Sequence, residues 1–232
     1  MKASIQITAK LTSKEGTEEV VLTFDRAVVG GWTGRDKAAL QHHIDELAKI
    51  GVQAPERTPM FYRIGISRLT GAQAIEVIGN GSSGEVEYTL IKHAGRIWVG
   101  AASDHTDRVY ERMGITVAKQ LCDKPLASEF WPLDEVEGHW DQIQIRSMIR
   151  ENGSEVVYQD GTVAGLLSPQ ELLEYLREEG NDLIEGTLLF GGTCGTIGGV
   201  RYSDRFTFEL NDPILGRAIS HSYDVIPVPI RG

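Results

Sequence analysis

The 232-residue sequence predicts an α+β fold that is mainly β, with few helices. Three observations carry this. Short runs of alternating polar and apolar residues, bounded by Gly, Asn or Asp, recur along the chain, which is the period-two signature of strands. Glycine is abundant, at 26 of 232 residues or about 11%, against an ordinary ~7%. Helical spacing occurs in two places, and no regular β-α-β alternation marks a doubly wound sheet.

Taken in order, strands are expected over 4–10, 18–24, 60–63, 74–78, 85–92, 96–102, 142–151, 155–159, 187–190, 205–210 and 219–226. Asn152-Gly153, between two of them, is a type I′ hairpin signal, because both positions of that turn need positive φ. The first helix is expected over 36–50. It carries Leu40, Ile44, Leu47 and Ile50 at helical spacing, with Gly51 where a C-terminal cap belongs. The second, over 168–179, opens on Ser168-Pro169-Gln170-Glu171, a capping box with proline at the first helical position. No internal repeat or low-complexity linker divides the chain, so residues 1–232 read as one domain, with N-terminal strands in 1–30.

Composition excludes several classes of function. With 23 Lys and Arg against 33 Asp and Glu, the net charge of −10 argues against nucleic acid and against an anionic membrane surface. No apolar run approaches the roughly 18–20 residues of a membrane-spanning helix. The start, Met1-Lys2-Ala3-Ser4-Ile5-Gln6-Ile7, alternates polar and apolar and lacks the apolar block of a signal peptide. Cys122 and Cys194 form neither a disulfide framework nor a zinc signature, and a reducing cytoplasm is the simplest setting.

Glu85-Val86-Glu87 is the first candidate for chemistry. Residues two apart on a strand share a face, so both carboxylates point the same way; the ordinary reading is a solvated strand face. The next strand changes that balance. With the turn at His93-Ala94-Gly95 and Lys92 opposite Arg96, Glu87 faces Ala101, Glu85 faces Ser103, and Asp104 lies beside Glu85. Three acids at one end of a hairpin repel unless a cation neutralises them, and an all-oxygen set suits Mg²⁺, Mn²⁺ or Ca²⁺ better than zinc.

Four further segments are weighed with their structural alternatives. In His42-His43-Ile44-Asp45-Glu46, His43 lies on or beside the apolar stripe with Glu46 three residues on. A carboxylate-oriented His can act as general base, although a partly buried His with a satisfied hydrogen bond fits equally well. Lys119, in the otherwise apolar Thr116-Val117-Ala118-Lys119-Gln120-Leu121, reads by itself as a packed stem with a solvated ammonium; a functional lysine there would stabilise negative charge on a substrate. Gly191-Gly192-Thr193-Cys194-Gly195 is either an anion cradle of backbone amides or a tight turn. It is not a phosphate loop, since no Gly-Lys-Ser/Thr follows. Trp32, Trp98, Trp131 and Trp140 read as core or interface anchors.

In order, these features resemble the fumarylacetoacetate hydrolase-like superfamily. The resemblance rests on His43-Ile44-Asp45-Glu46, Pro55 and Pro59, Phe61-Tyr62-Arg63, Leu69-Thr70-Gly71, Glu85-Val86-Glu87, Ser103-Asp104-His105-Thr106-Asp107-Arg108, Lys119, Gln159-Asp160-Gly161, the helix through Leu172–Leu176 and the Gly191–Gly195 loop. It spans roughly residues 30–200, and its weight lies in the collinear order, with the chain similar to a divergent bacterial branch. It implies a mixed β-roll or β-sandwich core with few helices, one divalent metal (usually Mg²⁺) and commonly a homodimer. The implied ligands are Glu85, Glu87 and Asp104. His43 and Glu46 match the family's His–Glu pair on a segment, 36–50, that closes as a lid, Lys119 matches its lysine, and Thr193 matches the threonine at the substrate's carboxylate end.

Departures touch the substrate more than the metal. The Asn-Tyr expected before the lid reads Gly34-Arg35-Asp36, the strand lysine is Arg63, the Asp after the Arg is Val109, the following glutamine is Glu111 and the loop proline is Cys194. The Asp104-to-Lys119 spacing is short for the family. The resulting expectation is a Mg²⁺- or Mn²⁺-dependent enzyme that hydrolyses a carbon–carbon bond in a small 2-oxo acid or 1,3-dicarbonyl by stabilising an enolate. Decarboxylation, hydration and isomerisation follow the same logic, and a binding domain that has lost the chemistry is the non-enzymatic alternative. Arg63 or Arg108 would clamp a substrate carboxylate, and Lys119 with Thr193 would hold negative charge.

Overall fold

The computed structural model describes residues 3–49, 51 and 53–231, apart from the side chains of His43 and Leu47. In chain order the elements are β1 (Ile5–Ser13), β2 (Gly16–Phe24), β3 (Arg26–Gly31), α1 (Lys37–Lys49), β4 (Met60–Ile64), β5 (Leu69–Thr70), β6 (Ala74–Ile78), β7 (Ser82–Ser83), β8 (Val86–His93), β9 (Arg96–Ser103), β10 (Thr106–Asp107), α2 (Ile115–Gln120), β11 (Lys124–Pro125), β12 (Glu129–Pro132), α3 (Leu133–Val136), β13 (Gln144–Glu151), β14 (Ser154–Thr162), α4 (Pro169–Glu178), β15 (Thr187–Phe190), β16 (Arg205–Asp212) and β17 (Arg217–Val228). Eight strands form one sheet in the order β2-β1-β12-β9-β8-β15-β3-β4, and five form another in the order β14-β13-β16-β17-β6. Both are mixed: β1–β12, β15–β3 and β17–β6 run parallel, and the remaining neighbours antiparallel. The chain is thus mainly β with few helices, as the sequence predicts.

Packing shows how the large sheet is shaped. Alternate residues of β1, β2, β3, β8, β9 and β15 (Ala9, Leu11, Leu22, Phe24, Ala27, Val29, Ile91, Ala102, Leu188, Phe190) join one buried cluster. Strands at opposite ends of a sheet can share a cluster only if the sheet curls, so this is the concave face of a roll. The other face, with Val28, Tyr88, Leu90, Val99 and Ala101, packs on the five-stranded sheet through Ile145, Phe206, Phe208, Leu210 and Tyr223, and on α4 through Leu172, Leu173 and Leu176.

The helices begin where the sequence places them. Asp36 Oδ1 accepts the amides of Ala38 and Ala39 at the start of α1. Ser168 and Glu171 form the reciprocal capping box of α4. Leu40 and Ile44 are buried from α1, while the expected Leu47 contact and Ile50 lie outside the described residues. Among the described residues no helix is long and apolar enough to cross a membrane. Two strands of the large sheet went unanticipated. β3 is buried on both faces and so shows no alternation, and β12 has four residues.

The β8–β9 register differs from the expected one by a single residue. His93, not Lys92, faces Arg96, Lys92 faces Ile97, and Glu87 faces Ala102. The turn is the two-residue Ala94-Gly95, with φ of 50° and 76°. A two-residue turn with both φ positive matches the twist of the flanking strands better than the three-residue turn assumed from sequence. Asn152-Gly153, with φ of 50° and 80°, forms the same kind of turn.

Candidate metal centre

The corrected register strengthens the carboxylate cluster. The Asp104 amide donates to Glu85 O at 2.9 Å, extending the ladder one pair beyond Val86–Ser103, so Asp104 lies directly opposite Glu85. Glu87 is two residues along on the same, concave face. One carboxylate oxygen from each of Glu85, Glu87 and Asp104 lies within 4.8 Å of the others. Oxygens held by one ion at about 2.0–2.6 Å would be spaced in this way. The all-oxygen donor set therefore fits a hard divalent cation.

Each carboxylate is also held from outside. Arg108 Nη2 is 3.1 Å from Glu85 Oε1, and the same guanidinium donates to Ser83 Oγ at 2.8 Å and Glu111 Oε1 at 2.9 Å. The Gly192 amide donates to Glu87 Oε2 at 2.8 Å. Asp104 receives two lysines: Lys119 Nζ contacts Oδ2, and Lys124 Nζ lies 3.3 Å from Oδ1. Such fixed outer donors orient ligand carboxylates in metal sites. Three carboxylates thus face three cationic side chains.

Burial and charge set the titration of this group. Burial, then Asp104, pushes Glu87 well above the usual carboxylate range. Burial also opposes ionisation of Asp104, but Lys119 and Lys124 outweigh it and hold the group down at about 2. Burial works against the charge on Lys119, yet Asp104, Glu85 and Glu87 together raise its pKa. Lys124 is lowered by burial despite Asp104. Its ammonium donates to the carbonyls of His105, Lys119 and Cys122, which fixes it in place. His105, pushed down to about 3 chiefly by burial, is neutral between Tyr223 Oη at 2.8 Å and Ser82 Oγ at 2.9 Å.

Of the residues selected from sequence, Glu85, Glu87, Asp104, Arg108 and Lys119 meet here. Thr193 lies on the adjoining loop, which Gly191 and Gly192 bind to β8 through Tyr88 O and the Glu87 carboxylate. Close approach explains why both positions are glycine. A Cβ on Gly191 would lie 2.0 Å from the Tyr88 ring, and one on Gly192, where φ is 105°, would lie 1.9 Å from Thr33 Oγ1. Arg108 is engaged by Glu85, Glu111 and Ser83, so it holds the cluster rather than reaching outward. Arg63 pairs with Val28, whose side chain belongs to the opposite face of the sheet, and it is exposed beside Arg26 and Asp25. Its neighbour Tyr62 points to the concave face, within the field of Lys119, and accepts the Trp32 indole N–H at 2.9 Å. Glu46 is exposed and pairs with His42 at 3.3 Å, while the His43 side chain lies outside the described residues.

A family model described as a protein of unknown function, DUF2848, matches residues 30–223. The chain belongs to the DUF2848 family. No curated protein matches this DUF2848 chain. Among solved structures, a protein of the fumarylacetoacetate hydrolase family from Yersinia pestis CO92 is similar, with TM-score 0.64 at 18% identity over 95% of this chain and 100% of that one. Fumarylpyruvate hydrolase from Pseudomonas aeruginosa, in complex with Mn²⁺ and pyruvate, gives 0.62 at 17% identity over 95% and 97%. A 2-keto-3-deoxy-D-arabinonate dehydratase gives 0.61 at 16% identity over 89% and 74%. The DUF2848 fold is therefore the fumarylacetoacetate hydrolase-like fold that the collinear motifs suggest.

Sequence reading missed three contributors. Lys124 carries a signal in hindsight, because the short Asp104-to-Lys119 spacing left room for a second lysine downstream. Tyr62 was quoted only as part of the Phe61-Tyr62-Arg63 motif; adjacent strand residues face opposite ways, so only one of Tyr62 and Arg63 could meet the carboxylates. Gln159, fully buried, was quoted only as part of a hairpin motif.

Proposed function

We propose that this DUF2848 protein is a divalent-metal-dependent enzyme acting on a small anionic oxo acid, with hydrolysis of a carbon–carbon bond as its reaction. The observation that carries this reading is the convergence of Glu85, Glu87 and Asp104 on one face, each fixed by its own donor. The names of two fold relatives, a fumarylpyruvate hydrolase holding Mn²⁺ and pyruvate and a keto-acid dehydratase, support the same substrate class. Glu85, Glu87 and Asp104 would hold Mg²⁺ or Mn²⁺, which would supply a Lewis acid for the oxo oxygen of the substrate. Lys119, buried against Asp104, and Thr193, on the loop beside Glu87, would hold negative charge on the rest of the ligand. Arg108 and Lys124 keep Glu85 and Asp104 oriented. His43 and Glu46, three residues apart in the sequence of α1, are the proposed proton carrier and the carboxylate that would orient it, and closure of α1 would exclude water.

A second reading is favoured by one observation. Arg108, Lys119 and Lys124 already balance the three carboxylates, so the cluster could be a self-neutralised structural element of a non-catalytic domain. Thermal melts of metal-stripped protein, titrated with Mg²⁺, Mn²⁺ and Ca²⁺, separate the two. A ligand bound only to the folded state raises the melting point with concentration. The enzyme reading expects a saturable rise in wild type, absent in Asp104→Ala, followed by turnover in a screen of 2-oxo acids and 1,3-dicarbonyls that Glu85→Gln abolishes. No shift at millimolar cation would put the structural reading first.

A further inference from the structure

We propose that Gln159 is a positioning residue that compels Thr193 to act as a hydrogen-bond donor to a bound anion. The inference rests on the proposed oxo-acid site and specifies how one wall of it works. Gln159 is fully buried, and its carboxamide makes four hydrogen bonds. Oε1 accepts from the Val86 amide at 3.0 Å and from Ser147 Oγ at 2.8 Å. Nε2 donates to Thr193 Oγ1 and to Cys194 O, both at 2.7 Å.

Two of these partners cannot change role. A backbone amide only donates, so Val86 must face the oxygen; a backbone carbonyl only accepts, so Cys194 must face the nitrogen. The orientation of the carboxamide follows, and with it the role of Thr193, whose oxygen takes the second Nε2 hydrogen. The hydroxyl hydrogen of Thr193 then needs another acceptor. Among the described residues the acceptor in reach, Cys194 O, is 3.4 Å away and already engaged by Gln159. That distance is long for an O–H···O bond. Thr193 is half-buried, and the residue just before it in the loop, Gly192, binds Glu87 through its amide. A carboxylate of a ligand at the three acids would supply the missing acceptor.

The backbone explains why a glutamine can do this. Ser147 pairs with Gln159 but Met148 pairs with Val157, so β14 carries an extra residue, Tyr158, at a bulge. Tyr158 and Gln159 are consecutive and both fully buried, which a regular strand with one buried face would not allow. The bulge turns Gln159 inward, where it ties the start of β8 to the Thr193 loop.

The test uses full-length protein saturated with Mn²⁺ and measures pyruvate affinity by calorimetry in wild type, Thr193→Val, Thr193→Ser, Gln159→Glu and Gln159→Glu/Thr193→Val. Gln159→Glu keeps the acceptor for Val86 and Ser147 but draws the Thr193 hydrogen to itself. Thr193→Val and Gln159→Glu should each weaken pyruvate about tenfold, the worth of one hydrogen bond to a charged group. Thr193→Ser should retain affinity. The double variant should be no weaker than either single, because both remove the same donor, whereas simple charge repulsion would multiply the losses. Gln159→Met, which frees Cys194 O to capture the hydroxyl, carries the same cycle if Gln159→Glu does not fold. Wild type that binds neither Mn²⁺ nor pyruvate would sink the oxo-acid reading itself. Wild type that binds both, with unchanged affinity in Thr193→Val or multiplicative losses in the double, would overturn the role of Gln159 alone.

Discussion

Replacing Asp104 by Asn isolates what the carboxylate does for the fold. The substitution keeps the shape of a fully buried side chain and removes the charge shared by Lys119 and Lys124. Removing one partner of a buried ion pair leaves the other uncompensated, at about 3–5 kcal/mol. Lys119 keeps Glu85 and Glu87 nearby, and Lys124 keeps three carbonyls, so the expected loss lies at the lower end, about 3 kcal/mol. For a chain of this size about 2–4 °C accompanies each kcal/mol, so the melting point of metal-stripped protein should fall by about 6–12 °C. Urea unfolding at pH 7, followed by circular dichroism and tryptophan fluorescence, gives the free energy directly. Adding Lys119→Met removes one stranded ammonium, so the double variant should lose less than the sum of the singles. A loss under about 1 kcal/mol for Asp104→Asn, or strict additivity in the double, would refute the claim that this carboxylate anchors both lysines.

Three further outcomes follow from the same site. Glu87 is raised well above its usual range by burial and by Asp104, so ionised Glu87 costs stability as pH rises above its unfolded value; Glu87→Gln, which keeps an acceptor for Gly192, should melt higher than wild type at pH 7 without metal yet show no cation-induced rise. Asp104, held at about 2, contributes stability that is complete above its unfolded value near 3.9 and lost as pH falls through 4 toward 2. Urea midpoints at pH 6 and pH 3 should therefore differ less in Asp104→Asn than in wild type. Gly191→Ala places a methyl 2.0 Å from the Tyr88 ring and should yield little folded protein, checked by soluble expression and far-ultraviolet circular dichroism, with Gly195→Ala, which meets nothing within 4 Å, as the tolerated control.

Much of this arrangement was legible in the sequence, and the limits have physical causes. Capping chemistry is local, so Ser168 and Glu171 announced α4, and Asn152-Gly153 announced its hairpin. The carboxylate cluster was legible because Glu85, Glu87 and Asp104 belong to adjacent strands, and a one-residue error in the turn left all three on one end of the hairpin. What escaped depends on distant pairing. β3 lies parallel to β15, about 160 residues later, and has no alternation to reveal it. Arg63 was selected because it stands where the resembled family has its strand lysine, but the pairing of β4 with β3 turns Tyr62 inward instead. Gln159 turns inward only because β14 bulges at Tyr158, and no periodicity shows a bulge in advance.

Lys119 and Lys124 touch the same carboxylate but cannot play the same part when a cation enters. Lys124 is fully buried and its ammonium is spread over Asp104 and three backbone carbonyls, so its position is fixed by the chain around it. Among the described residues Lys119 has Asp104 as the one hydrogen-bond partner of its ammonium, and it stands in the field of Glu85 and Glu87 as well. It is the internal cation of the cluster, and a divalent ion held by those oxygens must compete with it. Two like unit charges 4 Å apart repel by about 4 kcal/mol even at an effective dielectric of 20, and an ammonium facing a divalent ion by about twice that, so Lys119 must swing away or weaken the ion. Lys119→Met should therefore tighten Mn²⁺ at least tenfold by calorimetry on metal-stripped protein, while lowering affinity for an anion such as pyruvate, since the displaced ammonium is then the group left to meet it. Lys124→Met should instead lose folded protein. Unchanged or weaker Mn²⁺ affinity in Lys119→Met would show that Lys119 orients Asp104 for the ion rather than holding its place.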